Sequence, residues 1–144
     1  MIVQLYIFLG LNMNLVVDTS VIIAVITNEK HKKQLIEVSK GADLIAPPAL
    51  HWEIGNAFSA MFKRQKTSLE EALAALAAYR QIPIRFCDVE LDTALELSSN
   101  LNVYAYDAYF IGCALRNKCP LVTLDGGLID AAQRAGAEIR QVTT

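Results

Sequence analysis

Cysteine and histidine are scarce in this sequence, and neither sign of charge is in large excess. The three cysteines, Cys87, Cys113 and Cys119, are odd in number and lack the paired spacing of a metal site. We therefore expect reduced thiols in a cytoplasmic protein. His31 and His51 are too isolated to indicate metal ligands or catalytic bases. The net charge of −2 provides no whole-protein attraction to nucleic acid or acidic membranes, although it is compatible with a local basic rim.

Longer patterns are missing as well. The sequence shows no internal repeat, low-complexity tract, domain linker or secretory signal, and no apolar run long enough to span a bilayer. A glycine-rich phosphate loop is also absent, because Gly126-Gly127 lacks the required spacing and the lysine. With 53% hydrophobic and 19% charged residues over 144 positions, these absences predict one globular domain and no membrane partner.

Residues 1–12 differ from the rest of the chain, because they are mostly apolar and carry no charge. Met13 opens a segment that looks like a natural beginning. We therefore expect the domain to cover residues 13–144, with residues 1–12 as an apolar N-terminal extension. Two interpretations of the extension stay open: an upstream start codon, or an added edge or interface strand.

Short apolar runs alternate with helical patterns along residues 13–144. Branched apolar runs predict strands at residues 15–17, 43–46, 83–87, 120–124 and 138–142. Helical spacing predicts helices between them, at about residues 19–26, 30–40, 48–64, 68–79, 90–101, 107–117 and 128–135. Because strands separated by helices form a parallel sheet covered on both faces, we expect an α/β fold.

Four carboxylates belong to the segments that this topology brings together. Asp18 and Asp125 each end a predicted strand, and Glu53 lies in the first turns of the helix that follows the second strand. Ligands of open α/β sheets bind beyond the carboxyl ends of the strands, so these three acids are expected to meet there. The argument is weaker for Asp107, because a helix separates it from the preceding strand.

Carboxylates that converge repel each other unless a cation lies between them. All-oxygen donors suit Mg²⁺ or Mn²⁺, which can activate a water molecule and stabilise a leaving oxygen. The hydroxyls of Ser20 and Thr123 are placed to orient the ligands or their waters. Each acid alone also has a structural interpretation: a helix N-cap for Asp18 or Asp107, a helix surface for Glu53, and a turn for Asp125. If Asp18 is a ligand, we expect Thr19 or Ser20 to cap the helix.

Taken in order, four short motifs resemble the PIN domain family, and most closely the VapC-type toxin ribonucleases. The motifs are Val16-Val17-Asp18-Thr19-Ser20, Glu53-Ile54-Gly55-Asn56, Tyr106-Asp107-Ala108-Tyr109 and Leu121-Val122-Thr123-Leu124-Asp125. The resemblance covers about residues 13–143. It implies a three-layer α/β/α sandwich with a parallel central sheet. It also implies that Asp18, Glu53, Asp107 and Asp125 are the catalytic, metal-binding residues.

The resemblance implies a metal-dependent endoribonuclease that cleaves RNA, acting as the toxin of a toxin–antitoxin pair. It further implies a homodimer and a small DNA-binding antitoxin as partners. One departure is Gly126-Gly127, which replaces the basic or polar residues that often follow the last acid in the family. Two other functions stay open: a phosphatase that forms an aspartyl-phosphate on Asp18, and a non-catalytic RNA- or protein-binding module with a vestigial acid pocket.

Basic and aromatic residues give weaker indications. The densest basic runs, residues 30–33 and 63–66, are either a rim that grips RNA phosphates or solvated helix faces, and we favour the latter. Trp52, Phe58 and Phe62 are expected to pack in the core or in a dimer face rather than to stack on bases.

Overall fold

The computed structural model describes residues 12–142, together with Leu5 and Leu9. The prediction for residues 1–12 therefore lies almost wholly outside the described residues. Four strands are described: β1 (Met13–Val17), β2 (Ala42–Ala46), β3 (Ile84–Phe86) and β4 (Leu121–Val122). The described helices are α1 (Thr19–Ile26), α2 (Lys32–Ser39), α3 (Ala49–Lys63), α4 (Leu69–Tyr79), α5 (Leu91–Leu101), α6 (Ala105–Asn117) and α7 (Gly126–Arg134).

The four strands form one parallel sheet in the order β3-β2-β1-β4. Val16 of β1 pairs with Ile45 of β2 on one side and with Leu121 of β4 on the other. All four strands therefore end at the same edge of the sheet. Because β1 has a neighbour on both sides, the residue after β1 lies in the middle of that edge.

Helices cover both faces of the sheet, as predicted. The connections from β1 to β2 and from β2 to β3 step in one direction, so right-handed crossovers place α1 to α4 on one face. The return from β3 to β4 runs the other way and places α5 and α6 on the opposite face. Accordingly, α1 contacts α2, α3 and α4, while α5 packs against α6 and α6 against β1. The predicted three-layer α/β/α sandwich is confirmed.

The core lies between these layers and is centred on β1. Leu15, Val16, Ile45 and Leu121 are fully buried in strands β1, β2 and β4. Burial of branched apolar side chains stabilises a parallel sheet that is covered on both faces, at about 25 cal/mol for each Å² of apolar surface removed from water. The strand ends at this edge are therefore held by a well-packed core.

Several predicted boundaries need correction. The strand predicted at 120–124 ends at Val122, so Asp125 lies three residues beyond it, and the helix predicted from residue 128 begins at Gly126. The predicted strand at 138–142 is a single parallel bridge between Leu121 and Ile139. The physical reason is the shortness of β4, whose Leu121 N–H and C=O groups bond Glu138 and Arg140 before the chain turns away. The helix predicted from residue 107 begins at Ala105, which places Asp107 within the first turn instead of at the start.

Two further observations concern the chain as a whole. Cys87, Cys113 and Cys119 are free, and burial raises the pKa of the Cys113 thiol to about 12, so this thiol is unreactive at neutral pH. None of the helices in residues 12–142 has the length and apolar content that a crossing of the bilayer requires.

Candidate active site

Asp18 follows β1 directly and is buried, with only 4% of its surface exposed. Its Oδ1 atom accepts hydrogen bonds from the Val21 backbone N–H at 3.1 Å and from the Ser20 hydroxyl at 2.7 Å. Its Oδ2 atom accepts a hydrogen bond from the Thr123 hydroxyl. Asp18 is thus itself the N-cap of α1, and the prediction that Thr19 or Ser20 caps this helix is wrong. The Asp18 side chain is short and lies at the strand–helix junction, so its carboxylate accepts from the free Val21 N–H group in place of a Thr19 or Ser20 hydroxyl.

Ser20 and Thr123 connect Asp18 to the chain that follows β4. The Ser20 oxygen accepts from the Leu124 N–H at 2.9 Å, and the Thr123 oxygen accepts from the Asp125 N–H at 3.0 Å. Each hydroxyl has one proton, and in both residues it points at Asp18. The two predicted orienting residues therefore hold Asp18 from two directions and tie it to the turn that carries Asp125.

Asp125 is the N-cap of α7. Its Oδ1 atom accepts hydrogen bonds from the Gly127 N–H at 2.9 Å and the Leu128 N–H at 3.2 Å. The glycine pair that departs from the family pattern thus supplies a backbone donor to the last acid. Asp125 therefore stabilises the turn that follows it and also lies near the sheet edge.

Glu53 and Asp107 lie on helices rather than at strand ends. Glu53 is half-buried near the start of α3, and its Oε2 atom accepts a hydrogen bond from the Thr19 hydroxyl at 3.2 Å. Sequence reasoning missed this role of Thr19, although its position next to Asp18 is the signal that could have revealed it. Asp107 is not the N-cap of α6, because Tyr104 takes that position.

The four acids form one electrostatic cluster. Burial raises the pKa of Asp18 to about 6, against the hydrogen bonds from Thr123, Ser20 and Val21, and repulsion from Asp125 adds to the rise. Burial raises the pKa of Glu53 to about 7, against the Thr19 hydrogen bond, with repulsion from Asp18 and Asp107. Burial, followed by repulsion from Asp125, raises the pKa of Asp107. These repulsions link the four side chains in a closed ring.

The hydrogen bonds leave oxygen atoms available to a ligand. A carboxylate oxygen has about two lone-pair positions, so Oδ1 of Asp18 and Oδ1 of Asp125 are saturated by their donors. Oδ2 of Asp18 accepts one bond, and within residues 12–142 no donor reaches Oδ2 of Asp125, Oε1 of Glu53 or either oxygen of Asp107. Each acid thus has at least one oxygen with free lone pairs.

This donor set fits a hard divalent cation such as Mg²⁺ or Mn²⁺ in its chemistry, because every available atom is an oxygen of an acid whose charge needs compensation. The four acidic side chains do not form a closed coordination site. Nowhere in residues 12–142 do three or more His, Cys, Asp or Glu side chains lie close enough to hold an ion. Such an open arrangement is expected of carboxylates that repel each other.

One of the two basic runs reaches the border of this site. His31, which precedes α2, lines a cavity of about 210 Å³ together with Thr123, Leu124 and Arg140. The second run, residues 63–66, lies at the C-terminal end of α3, about ten residues beyond Glu53 and so roughly 15 Å along the helix. Only the first run is therefore near the acids.

Comparison with known proteins identifies the family. A model of the PIN domain matches residues 15–134, a range that contains all four acids and both hydroxyl residues. This chain belongs to the PIN domain family. A search of curated proteins gave no match.

Solved structures share the fold of this PIN domain. PAE2754 from Pyrobaculum aerophilum is 20% identical with a TM-score of 0.67, covering 88% of this chain and 83% of its own. VapBC2 from Rickettsia felis, bound to a DNA fragment from the promoter, is 14% identical with a TM-score of 0.63 (89% and 98% covered). VapC20 from Mycobacterium tuberculosis, a toxin that cleaves the sarcin-ricin loop, is 18% identical with a TM-score of 0.60 (88% and 99% covered). At these identities the similarity shows the fold.

Proposed function

We propose that this PIN domain protein is a Mg²⁺- or Mn²⁺-dependent endoribonuclease that hydrolyses RNA phosphodiester bonds. The observation that carries the proposal is the ring of four mutually repelling carboxylates at one sheet edge, each with an oxygen that its hydrogen bonds leave available. A group of acids whose pKa values are raised, first by burial and then by mutual repulsion, and which lies at the carboxyl edge of a parallel sheet is typical of a functional site.

In this proposal Asp18, Asp107 and Asp125 would hold the main ion, and Glu53 would help to bind it or a second ion. The chemistry that a divalent ion would supply here is a bound water of lowered pKa and compensation of the charge that develops on the leaving oxygen. Ser20 and Thr123 keep Asp18 in one orientation through its two oxygens. Thr19 does the same for Glu53 through Oε2, which leaves Oε1 free.

The biological role that we infer is that of a cytoplasmic toxin in a type II toxin–antitoxin pair. The support is the fold, which is shared with VapC20 and with the VapBC2 complex on its promoter DNA. This role includes a homodimer and a small DNA-binding antitoxin that blocks the acidic edge. A short neighbouring gene for a DNA-binding protein, whose co-expression relieves growth arrest, is the expected finding. Unimpaired growth on expression of the active chain alone would contradict the toxin role.

The decisive experiment compares cleavage of structured RNAs by the wild type, Asp18→Asn and the control Asp130→Asn. Asp130 is an exposed acid paired with Arg134 on α7, so its substitution leaves the site intact. We expect cleavage with Mg²⁺ or Mn²⁺ by the wild type and the control, and none by Asp18→Asn or in excess EDTA. Full activity of Asp18→Asn, with circular dichroism showing the same fold, refutes the proposal.

The two other candidate functions have less support. A phosphatase that uses Asp18 as nucleophile needs a second acid two residues later, and Ser20 occupies that position with its hydroxyl bonded to Asp18. A trapped aspartyl-phosphate on Asp18 would reverse this preference. A non-catalytic module is disfavoured because all four acids are present and share one edge, and calorimetry showing no Mn²⁺ binding would revive it.

A further inference from the structure

A small cavity adjoins the acidic edge of the sheet, next to the segment that follows β4. Its volume is about 210 Å³. Separate segments of the chain line it, namely those that carry His31, Thr123, Ile129 and Arg140. The Thr123 hydroxyl also donates to Oδ2 of Asp18, so this one residue is shared by the cavity and the first acid. The cavity therefore lies beside the proposed site, although none of the four acids lines it.

Arg140 differs from the other arginines in its burial. The others are exposed, whereas Arg140 is half-buried. Its Nη1 atom donates to the Val38 carbonyl at 3.4 Å, which is a long hydrogen bond. The remaining N–H groups of its guanidinium have no acceptor within residues 12–142. Arg140 thus brings free donors to the wall of the cavity.

The charge of Arg140 is not compensated by an acid in the described part of the chain. The ion pairs found there are Lys40–Glu37 and Arg134–Asp130. Glu138, the nearest acid along the chain, lines a different cavity. Leu124, Ile129 and Ile139 give the cavity beside Arg140 apolar walls. A half-buried cation next to apolar surface is unfavourable unless an anion pairs with it, so the cavity favours an anionic ligand.

His31 adds a second donor to the cavity. It occupies the N-cap position of α2, but its side chain does not cap the helix. The imidazole is thus able to donate an N–H group to a ligand. A guanidinium fork and a ring N–H group suit a tetrahedral oxyanion. The volume of about 210 Å³ is below the range of roughly 300–1,000 Å³ that holds drug-sized ligands, so the cavity fits a group of the size of a phosphate.

We propose that this cavity, here called the Arg140 pocket, binds the phosphate that neighbours the cleaved one on the RNA strand. The proposal rests on the proposed ribonuclease function. Four acids repel a polyanion, and compensation at the cleaved phosphate alone leaves its neighbours repelled. Gly126-Gly127, directly after Asp125, have no side chain with which to hold the strand. Arg140 supplies this contact from the C-terminal segment, and it positions the strand without touching the reacting atoms.

The salt dependence of RNA binding tests the Arg140 pocket without any cleavage. The probe is a labelled, unpaired RNA of about 12 nucleotides in metal-free buffer, and anisotropy measures its affinity. For single strands, log affinity falls with log salt concentration with a slope of about −0.7 for each phosphate contact. Arg140→Met keeps the apolar stem and removes the charge, so we expect about 5- to 30-fold weaker binding and a slope shallower by about 0.7. Arg140→Lys should keep the slope of the wild type and bind with intermediate affinity.

Arg116→Met is the matched control. Arg116 also donates to a backbone carbonyl, that of Asp88 at 2.9 Å, but it is exposed and does not line the Arg140 pocket. Its affinity for RNA and its salt slope are expected to equal those of the wild type. Circular dichroism of each variant verifies the fold.

Inorganic phosphate provides a second test that needs no variant. The chain has two histidines, His31 in the Arg140 pocket and His51 against Trp52 and Tyr79. In NMR spectra of the wild type at constant pH, added phosphate is expected to shift the ring signals of His31 saturably and to leave those of His51 unchanged. Chloride at the same ionic strength should shift neither.

Equal salt slopes of the wild type and Arg140→Met overturn the proposal, as does an absent or equal response of the two histidines to phosphate. Shifts of His31 together with equal RNA slopes make the pocket a site for free phosphate and overturn its assignment to the RNA strand. A shallower slope in Arg140→Met, with no cleavage by the wild type in Mg²⁺, keeps the pocket and refutes the nuclease. Cleavage by the wild type with equal slopes does the reverse.

Discussion

The four acids divide into two pairs that are held in different ways. Asp18 and Asp125 follow strands, cap helices and accept hydrogen bonds from backbone N–H groups. Asp18 also accepts hydrogen bonds from the Ser20 and Thr123 hydroxyls. Glu53 and Asp107 lie on helices that cross to the same edge, and within residues 12–142 only the Thr19 hydroxyl reaches either of them. The strand-end pair therefore stabilises the fold as well as belonging to the proposed site, whereas the helix pair has few hydrogen bonds that stabilise the fold.

The largest expected effect tests whether both pairs are needed for cleavage. Asp107→Asn is expected to abolish detectable RNA cleavage as Asp18→Asn does, a loss of at least about 10²-fold, because loss of one charged ligand removes several kcal/mol of transition-state stabilisation. Single-turnover cleavage measures it. Retention of more than about a tenth of the wild-type rate by Asp107→Asn would remove this residue from the site.

The pH dependence of stability tests the shared electrostatics. Since the pKa of Asp18 is raised to about 6 in the folded protein, its contribution is fully present below the ordinary value of 3.8 and is lost as the pH rises through 6. Without metal, the free energy of unfolding should fall by roughly 2 to 3 kcal/mol over this interval. Glu53 extends the fall to about pH 7, by less because it is partly solvated.

Urea unfolding in EDTA at a series of pH values measures this dependence. Added Mg²⁺ should flatten the profile, because a cation compensates the charges that cause it. Asp18→Asn should remove the larger part of the slope and Asp130→Asn none of it. A flat metal-free profile in the wild type would show that the pKa values of Asp18 and Glu53 are not raised in the folded protein.

A third prediction separates the pairs by stability. Asp18→Ala removes the cap of α1 and leaves the Ser20, Thr123 and Val21 donors without an acceptor, so it should cost about 1 to 3 kcal/mol at pH 7. Asp107→Ala removes only a repelled charge and should change stability by less than about 0.5 kcal/mol. Urea midpoints at constant m-value give both numbers. Equal losses of unfolding free energy in Asp18→Ala and Asp107→Ala would show that the two acids contribute alike to the fold.

The smallest effect concerns the one hydrogen bond of the helix pair. Thr19→Val keeps the shape of the side chain but loses the donor to Glu53, so Glu53 is less well oriented. We expect a 3- to 10-fold lower cleavage rate, equivalent to about 1 kcal/mol, with unchanged stability. Ser68→Ala is the control, because it removes the N-cap of α4, a helix that carries none of the four acids. It should lower stability by about 1 kcal/mol without changing cleavage per folded molecule.

Several features could be predicted from the sequence because they depend on near neighbours. The apolar run before Asp18 predicts a buried strand, and Ser68 with Glu71 at the start of α4 forms a reciprocal capping box. Alternation of strands and helices predicts the parallel sheet, and a parallel sheet places strand-end acids at one edge. The family resemblance added Asp107, whose position does not follow from local pattern.

Other features could not be predicted, because they depend on contacts between distant segments. The predicted strand at 138–142 has the right composition but meets a β4 strand that is only two residues long. Trp52 was predicted to pack in the core or in a dimer face, but it is 67% exposed, so the core prediction is wrong and the dimer face stays a prediction. The sequence could not decide between the cap and the proposed ligand role of Asp18. In the structure the cap uses Oδ1, and Oδ2 keeps a free lone pair, so one role does not exclude the other.

By itself, the sequence determined the order of strands and helices, the parallel sheet, and the expectation that Asp18, Glu53 and Asp125 meet at its edge. Hydrophobic period and capping residues act over a few positions, and that is enough to specify such elements. Only the tertiary structure decided which oxygens are held by Ser20, Thr123 and the helix N–H groups, which oxygens remain available, and that Trp52 is exposed to solvent. These properties arise where segments more than one hundred residues apart meet, as Asp18 and Thr123 do, and no local pattern records them.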